Sequence, residues 1–401
     1  MVNPSANGWI DKFFSENGVQ LQTSFASDMA FYLNVRQTGF IYGHVVEISP
    51  SLSVDISQLK ADEVSKVALI THLYSMYSYT CKSADRSLFI AKTIAFYNEL
   101  NPKGFAIFDK IIPQSNSSKL EAIIRDRIQT NKDIISKNFS HIVTNALLFV
   151  DVLAFREYLA HDTISNKYIK NIEEIILSVV TLTLKVKLKK SQHDDLLIKL
   201  FESSVRYSKF SVDSEKSKNK VLDSLVFDSL KTDLERYYLI DLGGLTLWND
   251  EVVEKDELYF LHKLAEKFDV PEAFVSESVR ATHDFISTYK EEIQYFNYSN
   301  PVKHFYDQTT TGVQVLIKRN KKRLTKELSQ SKELMQLLAK STNKDLSQEE
   351  KKKVKKQLLD VCKSIPSLTI FLLPGGGLLL PILIKFIPQL LPSAFNENLD
   401  E

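Results

Sequence analysis

From Ile365 to Leu391 the chain runs for 27 residues with a single charge, Lys385, and inside that run prolines recur every seven residues at Pro374, Pro381 and Pro388. About 20 apolar residues suffice to cross the hydrocarbon of a bilayer, so length alone permits a span. The 16 Leu, Ile and Phe residues of the run would favour insertion by roughly 5–10 kcal/mol in sum, and Lys385 would oppose it by about 3 kcal/mol. The prolines oppose it as well. On one continuous helix they fall on nearly one face and free the carbonyls of Ile370, Gly377 and Ile384, at up to ~3 kcal/mol each in a helix interior. Membrane helices tolerate this only where neighbours or water satisfy the freed carbonyls. A broken pair, 366–373 and 378–391 hinged at Gly375, Gly376 and Gly377, therefore stands beside the straight span, and a buried core element beside both.

The rest of the chain reads as helix. Eleven glycines in 401 residues are few for a protein built from turns and hairpins, while 44% hydrophobic and 25% charged residues are globular values. The expectation is an all-α protein of two or three domains. Polar or Pro/Gly-containing breaks at 101–104, 211–220 and 297–301 divide it into a helical region 1–100, a helical domain 101–210, a compact helical unit 221–298 and a C-terminal region 312–395. Within the first, "TGFIYGHVVEISPSLSVDIS" (38–57) is irregular or partly extended, and two helical patterns follow at 61–81 and 85–100. Val64, Val67, Ala68, Leu73 and Met76 roughly follow one face of the earlier helix, and Ile123, Ile124 and Ile128 share a side in the next domain. "TLTLKVKLKK" (181–190) alternates like a strand, but its neighbours on both sides are helical, and it is read as helix. Gly243-Gly244 marks a break or a close contact, and 255–268 an amphipathic helix.

Cys81 and Cys362 are the two cysteines, too far apart for a C-x-x-C pair, a zinc ligand set or a disulfide framework, so a reducing compartment is expected. The N-terminus lacks a basic segment followed by an apolar one, so the bulk of the protein is expected to stay in the cytoplasm without a cleaved signal. No phosphate-cradling glycine loop and no nucleophile elbow is present. Three His-Asp dipeptides, His161-Asp162, His193-Asp194 and His283-Asp284, would need a further His and Asp, such as His141 and Asp195, to converge on a metal. Nothing in their spacing brings these together, and no catalytic residue is assigned.

Charge is uneven. Residues 316–363 hold 15 Lys and Arg against 6 Asp and Glu, whereas residues 1–315 hold 35 against 41. The basic segment reads as two helices joined by "TNKDL" (342–346). The second opens with a capping box, Ser347 and Glu350, and carries an apolar line of Val354, Leu358 and Val361. Lys351, Lys352, Lys353, Lys355 and Lys356 cover most of its other side, a face suited to an anionic membrane surface or to RNA phosphates.

Two resemblances carry further expectations. "LWNDEVVEKDELYFLHKLAEKFDVPEAF" (247–274) is similar to the turn-plus-helix of tellurite-resistance TerB-like domains, over about 60 residues of chain. That likeness implies a metal-binding acidic turn with Asp250, Glu254 and Glu257 as ligands, although Asp250 follows Asn249 where the family usually has a glycine after the turn aspartate. Acidic residues in a first helical turn are also favoured by the helix dipole without any metal. A divalent cation there is the single cofactor considered.

Residues 312–395 resemble the LETM (leucine-zipper, EF-hand-containing transmembrane) proteins of the mitochondrial inner membrane and their bacterial relatives. The likeness rests on Leu346-Ser347 at a helix start, Leu358 to Pro366, the proline-interrupted stretch Pro374 to Pro381, Lys385 to Pro388, and a close at Leu391 to Phe395. The layout with such an end looks like bacterial proteins described as LETM-related and biofilm-associated. The resemblance implies membrane association, cation or proton transport, or ribosome binding. Family members commonly place a glutamate within the membrane segment where this chain has Gly377, so the carboxylate an exchanger needs is missing there. They also continue into a soluble domain proposed to bind ribosomes, and this sequence ends six residues after Phe395. The combined reading is a non-enzymatic scaffold or adaptor on the cytoplasmic side of a membrane. Its expected partners are lipids, the ribosome or RNA, and further copies of itself, but not DNA. Transport and ribosome binding stand as the alternatives.

Overall fold

The computed structural model describes residues 2–17, 24–49, 51–52, 54–100, 115–129, 147–187, 194, 230–248, 255–293, 301–343, 346–365, 368 and 383–384. The protein is all-α, and no strand occurs among the described residues. Two compact units are present, the larger built from Met1–Ile56 and Ala61–Tyr298, the smaller from Ser57–Lys60 and Ser299–Glu401.

The larger unit contains α1 (Trp9–Asn17), α2 (Asp28–Gln37), α3 (Ala61–Cys81), α4 (Arg86–Leu100), α5 (Asn116–Gln129), α6 (Leu148–His161), α7 (Asn166–Val186), α8 (Asp233–Leu247), α9 (Lys255–Phe268) and α10 (Glu272–Tyr289). Its centre is set by two helices that bury nearly every side, as helices without a polar face must. One is α3, which packs on α6 and carries buried Leu69, Ile70, Tyr74 and Tyr77 in addition to the face expected from periodicity. The other is α8, enclosed by α2, α7, α9 and α10. Gly243 resolves as a close contact inside α8 and not as a break: a Cβ there would lie 2.8 Å from Leu261 Cδ2 on α9. The helical reading of residues 181–186 holds, since α7 runs through to Val186.

Burying such helices brings polar groups inside, and each of them must then find a partner. Asp241 on α8 accepts from Tyr32 Oη and Ser278 Oγ and pairs with Arg36, whose other nitrogen reaches Glu277. Asp151 on α6 receives two bonds from Arg127, at 2.5 and 2.8 Å, and one from Tyr97 Oη at 2.8 Å. Lys187 meets Asp194 at 2.6 Å. Glu235 accepts from the N–H groups of Lys231 and Thr232, both at 2.6 Å, and from Tyr168 Oη. Glu121 on α5 accepts from the N–H groups of Gly8 and Ile10 at 3.0 Å and so closes the start of α1 from more than a hundred residues away.

The irregular reading of 38–57 also holds. A 3₁₀ turn at Phe40–Tyr42 is flanked by Gly39 and Gly43 in the left-handed region, and a second 3₁₀ turn lies at Ile56–Gln58. Only glycine fits at 39, where φ is +76° and a Cβ would lie 2.1 Å from the His44 carbonyl oxygen.

The smaller unit contains α11 (Pro301–Ser329), α12 (Lys332–Asn343) and α13 (Gln348–Ser364), each packed on the other two. The basic segment is therefore three helices and not the two expected. Its first part breaks at Gln330-Ser331, where the Gln330 and Ser331 N–H groups close the end of α11 on Glu327 and Leu328. Ser331 Oγ then accepts from the Leu334 N–H at 3.2 Å and starts α12. One core runs through the unit, from Val313, Leu316, Ile317, Leu324 and Leu328 on α11, through Leu334, Met335 and Leu338, to Val354, Leu358 and Cys362 on α13.

Candidate functional site

The exposed surface of the smaller unit is where the sequence concentrates positive charge, and its geometry follows from how α13 is fixed. Ser347 Oγ accepts from the Glu350 N–H at 3.2 Å and Glu350 accepts from the Ser347 N–H at 2.8 Å, so the expected capping box is formed. The same Glu350 carboxylate pairs with Lys340 of α12 at 2.7 Å. Farther along, Gln357 binds at both ends: its carbonyl accepts from Ser331 Oγ at 3.0 Å, and its amide donates to Glu333 at 2.8 Å. Lys353 completes this contact with Glu333 at 3.0 Å. The bond from Lys353, with Gln357 beside it, holds the Glu333 carboxyl below its usual range, and Lys340 with the Ser347 N–H does the same for Glu350.

These bonds divide the five lysines singled out from sequence. Lys353 serves the α12–α13 contact. Lys351, Lys352, Lys355 and Lys356 are exposed and in no ion pair among the described residues. Val354 and Leu358 turn inward between them, which forces the lysines outward. Lys352 and Lys356 are four residues apart and stack along one side of the helix.

A second set of cations was not singled out beforehand. Lys318, Lys321, Lys322, Arg323 and Lys326 of α11 are exposed, and Lys318, Lys322 and Lys326 recur every four residues on the side turned away from Ile317, Leu324 and Leu328. The signal was available in "IKRNKKRLTKEL" (317–328), where the apolar positions already mark the inward face. Arg319, between them, donates from Nε to the Gln58 carbonyl at 2.7 Å, which fastens residues 57–60 to this unit.

Of the acidic-turn residues, Asp250 and Glu254 lie outside the described residues, and Glu257 is buried in the first turn of α9. No group of three or more His, Cys, Asp or Glu suited to a metal occurs among the described residues. The His-Asp pairs do not meet: Asp162 takes Lys92, Asp194 takes Lys187, and exposed His283 faces Ser287. His141, His193 and Asp195 lie outside the described residues.

In the apolar stretch, Pro374, Gly377, Pro381, Lys385 and Pro388 are likewise outside the described residues, and among those described no helix is long and apolar enough to cross a membrane. Four residues of the stretch are described. Ile365, Leu368 and Leu383 are buried in the core of the smaller unit, and Ile384 packs against it.

Residues 346–401 match the family model described as LETM1-like, RBD, a ribosome-binding domain. The match starts at the residue before the capping box of α13 and includes all five lysines and the apolar stretch. The C-terminal segment is thus LETM-like. The matched residues run through the close at Phe395 to Glu401. No characterised protein and no solved structure gave a significant match to the chain.

Proposed function

We propose that this chain, whose C-terminal segment is LETM1-like, is a non-enzymatic adaptor that binds the ribosome through the exposed cations of α13, with ribosomal RNA phosphates as the contact. The observation that carries this reading is that Lys351, Lys352, Lys355 and Lys356 lie within the matched residues, are exposed, and form no ion pair among the described residues. A solvated ammonium facing phosphates gains from release of condensed counterions, a gain that salt erodes. Four such contacts predict that the logarithm of the binding constant falls with the logarithm of salt at a slope of about −3.

Co-sedimentation with purified ribosomes over a salt series tests this. Replacing Lys351, Lys352, Lys355 and Lys356 by Gln should abolish the salt-dependent part of the binding. Binding that ignores both salt and the four substitutions overturns the reading.

A second reading is supported by the adjoining 27-residue apolar run. In it the same lysines hold the protein to the cytoplasmic face of an anionic membrane, at about 1 kcal/mol per residue near the surface, and the adaptor joins membrane and ribosome. Flotation with anionic vesicles checks it, and failure of the intact chain to float at low salt rejects it.

A further inference from the structure

Four residues of the apolar stretch and the thiol of Cys362 meet in one place. Ile365, Leu368 and Leu383 belong to the same buried cluster as Cys362, Leu358 and Leu338, with Ile384 packed against it. We propose that Leu383 and Ile384 are stowed here: the core of the smaller unit holds them, and an anionic lipid surface gathered by Lys351, Lys352, Lys355 and Lys356 competes with that core for them. Lipid binding then opens the cluster at Cys362. The inference rests on the membrane reading above.

Three observations support it. The core of this unit contains a single buried polar residue among those described, Asn320, whose amide donates to the Leu316 carbonyl in its own helix. Its cohesion is therefore apolar contact without direction, which a bilayer interior supplies equally well. The 27-residue run carries 16 Leu, Ile and Phe residues, a composition that lipid accepts. The lysines that would bring it to an anionic surface begin within the same family-matched segment and are exposed while Leu383 is buried. Cys362 reports on the state, because burial pushes its thiol up to about 11 and keeps it protonated and shielded.

The test is alkylation of the full wild-type chain by a maleimide at neutral pH, with the rate at each cysteine read by mass spectrometry. Cys81, in the larger unit, serves as the internal reference. The arms are no addition, phosphatidylcholine vesicles, vesicles of equimolar phosphatidylglycerol and phosphatidylcholine, and single-stranded polyuridylate. The proposal expects the anionic vesicles to bind the protein and raise the Cys362 rate by about ten-fold or more, as local opening would, while Cys81 is unchanged and the other arms have no effect. Vesicle binding with Cys362 still protected overturns the competition but leaves the membrane reading standing. Absence of vesicle binding removes both. An equal rise with polyuridylate overturns the lipid assignment, since opening would then follow from any polyanion. Leu383→Ala supplies an independent arm: it should raise the Cys362 rate without lipid, and an unchanged rate counts against the proposal.

Discussion

The two units handle polar groups in opposite ways. In the larger one, charged side chains lie inside and are paired: Asp241 with Arg36, Asp151 with Arg127, Lys187 with Asp194. In the smaller one they lie outside, and Lys351, Lys352, Lys355 and Lys356 have no ion-pair partner among the described residues, over a core that is apolar apart from Asn320. A buried network joining α2, α8 and α10 tolerates one arrangement of its donors and acceptors. An apolar core is held by contacts without such directional demands. The larger unit is therefore held by paired charges inside it, and the smaller by apolar contact under a charged surface.

The sharpest way to break this contrast is to remove one partner of a buried pair. Asp241→Ala strands Arg36, Tyr32 and Ser278 without their shared acceptor and should cost about 3–5 kcal/mol. Urea unfolding followed by tryptophan fluorescence measures it in the larger unit alone, since both tryptophans, Trp9 and Trp248, are there. A loss under about 1 kcal/mol, the size of an ordinary surface effect, would mean that the network is incidental.

In the smaller unit the comparable change is a cavity. Leu358→Ala should cost about 3 kcal/mol and raise Cys362 reactivity, with the tryptophan-detected transition unmoved. A shift in that transition would show that the units do not melt independently.

The units should also differ in acid. His72 lies buried against Phe40 and Thr38, and burial lowers its pKa from 6.5 to about 3. The unfolded chain takes up this proton first, so the contribution is whole above about 6.5 and declines as pH falls toward 3, by about 2 kcal/mol at pH 5. In the smaller unit, Glu333, Glu350 and Asp360 are held low by Lys353, Lys340 and Lys363. Their contribution is present above the ordinary carboxylate range and lost as pH falls through the lowered values, so it fails in more acid solution than the His72 contribution does. His72→Gln should flatten the pH dependence of the tryptophan transition between pH 5 and 7; an unaltered slope would point to other groups.

The smallest effect sharpens the division between stability and binding. Replacing Lys351, Lys352, Lys355 and Lys356 by Gln should change stability by under about 0.5 kcal/mol, measured by thermal unfolding, while removing the salt-dependent ribosome binding. A large loss of stability would return those lysines to the fold.

Much of this was legible in the sequence where information is local. The scarcity of glycine and the helical periodicity identify an all-α chain, and Ser347 with Glu350 marks the start of α13 to the residue. Periodicity marks one face of α3 and misses the others, as it does the burial of α8, because a helix buried on all sides has little contrast between faces. Pairings such as Arg36 with Asp241, or Lys353 with Glu333, depend on which helices become neighbours, and no spacing along the chain encodes that. The break at Ser331 was readable, since a serine ahead of an acidic residue in the first turn, Glu333, signals a helix start, but the lysine run on both sides masked it. The lysine face was legible as a run of charge. That Lys353 pairs with α12 and its four neighbours form no ion pair among the described residues depends on how α12 and α13 pack.

The clasp of Glu121 on the start of α1 has a consequence for synthesis. A nine-residue helix is too short to persist alone in water, and the carboxylate that secures Gly8 and Ile10 is translated more than a hundred residues later. At bacterial or eukaryotic elongation rates the emerging N-terminus must wait roughly ten seconds before its latch exists. During that interval Trp9, Phe13 and Phe14, all buried in the finished molecule, are open to chaperones and proteases, so this protein's most vulnerable moment comes early on its own ribosome.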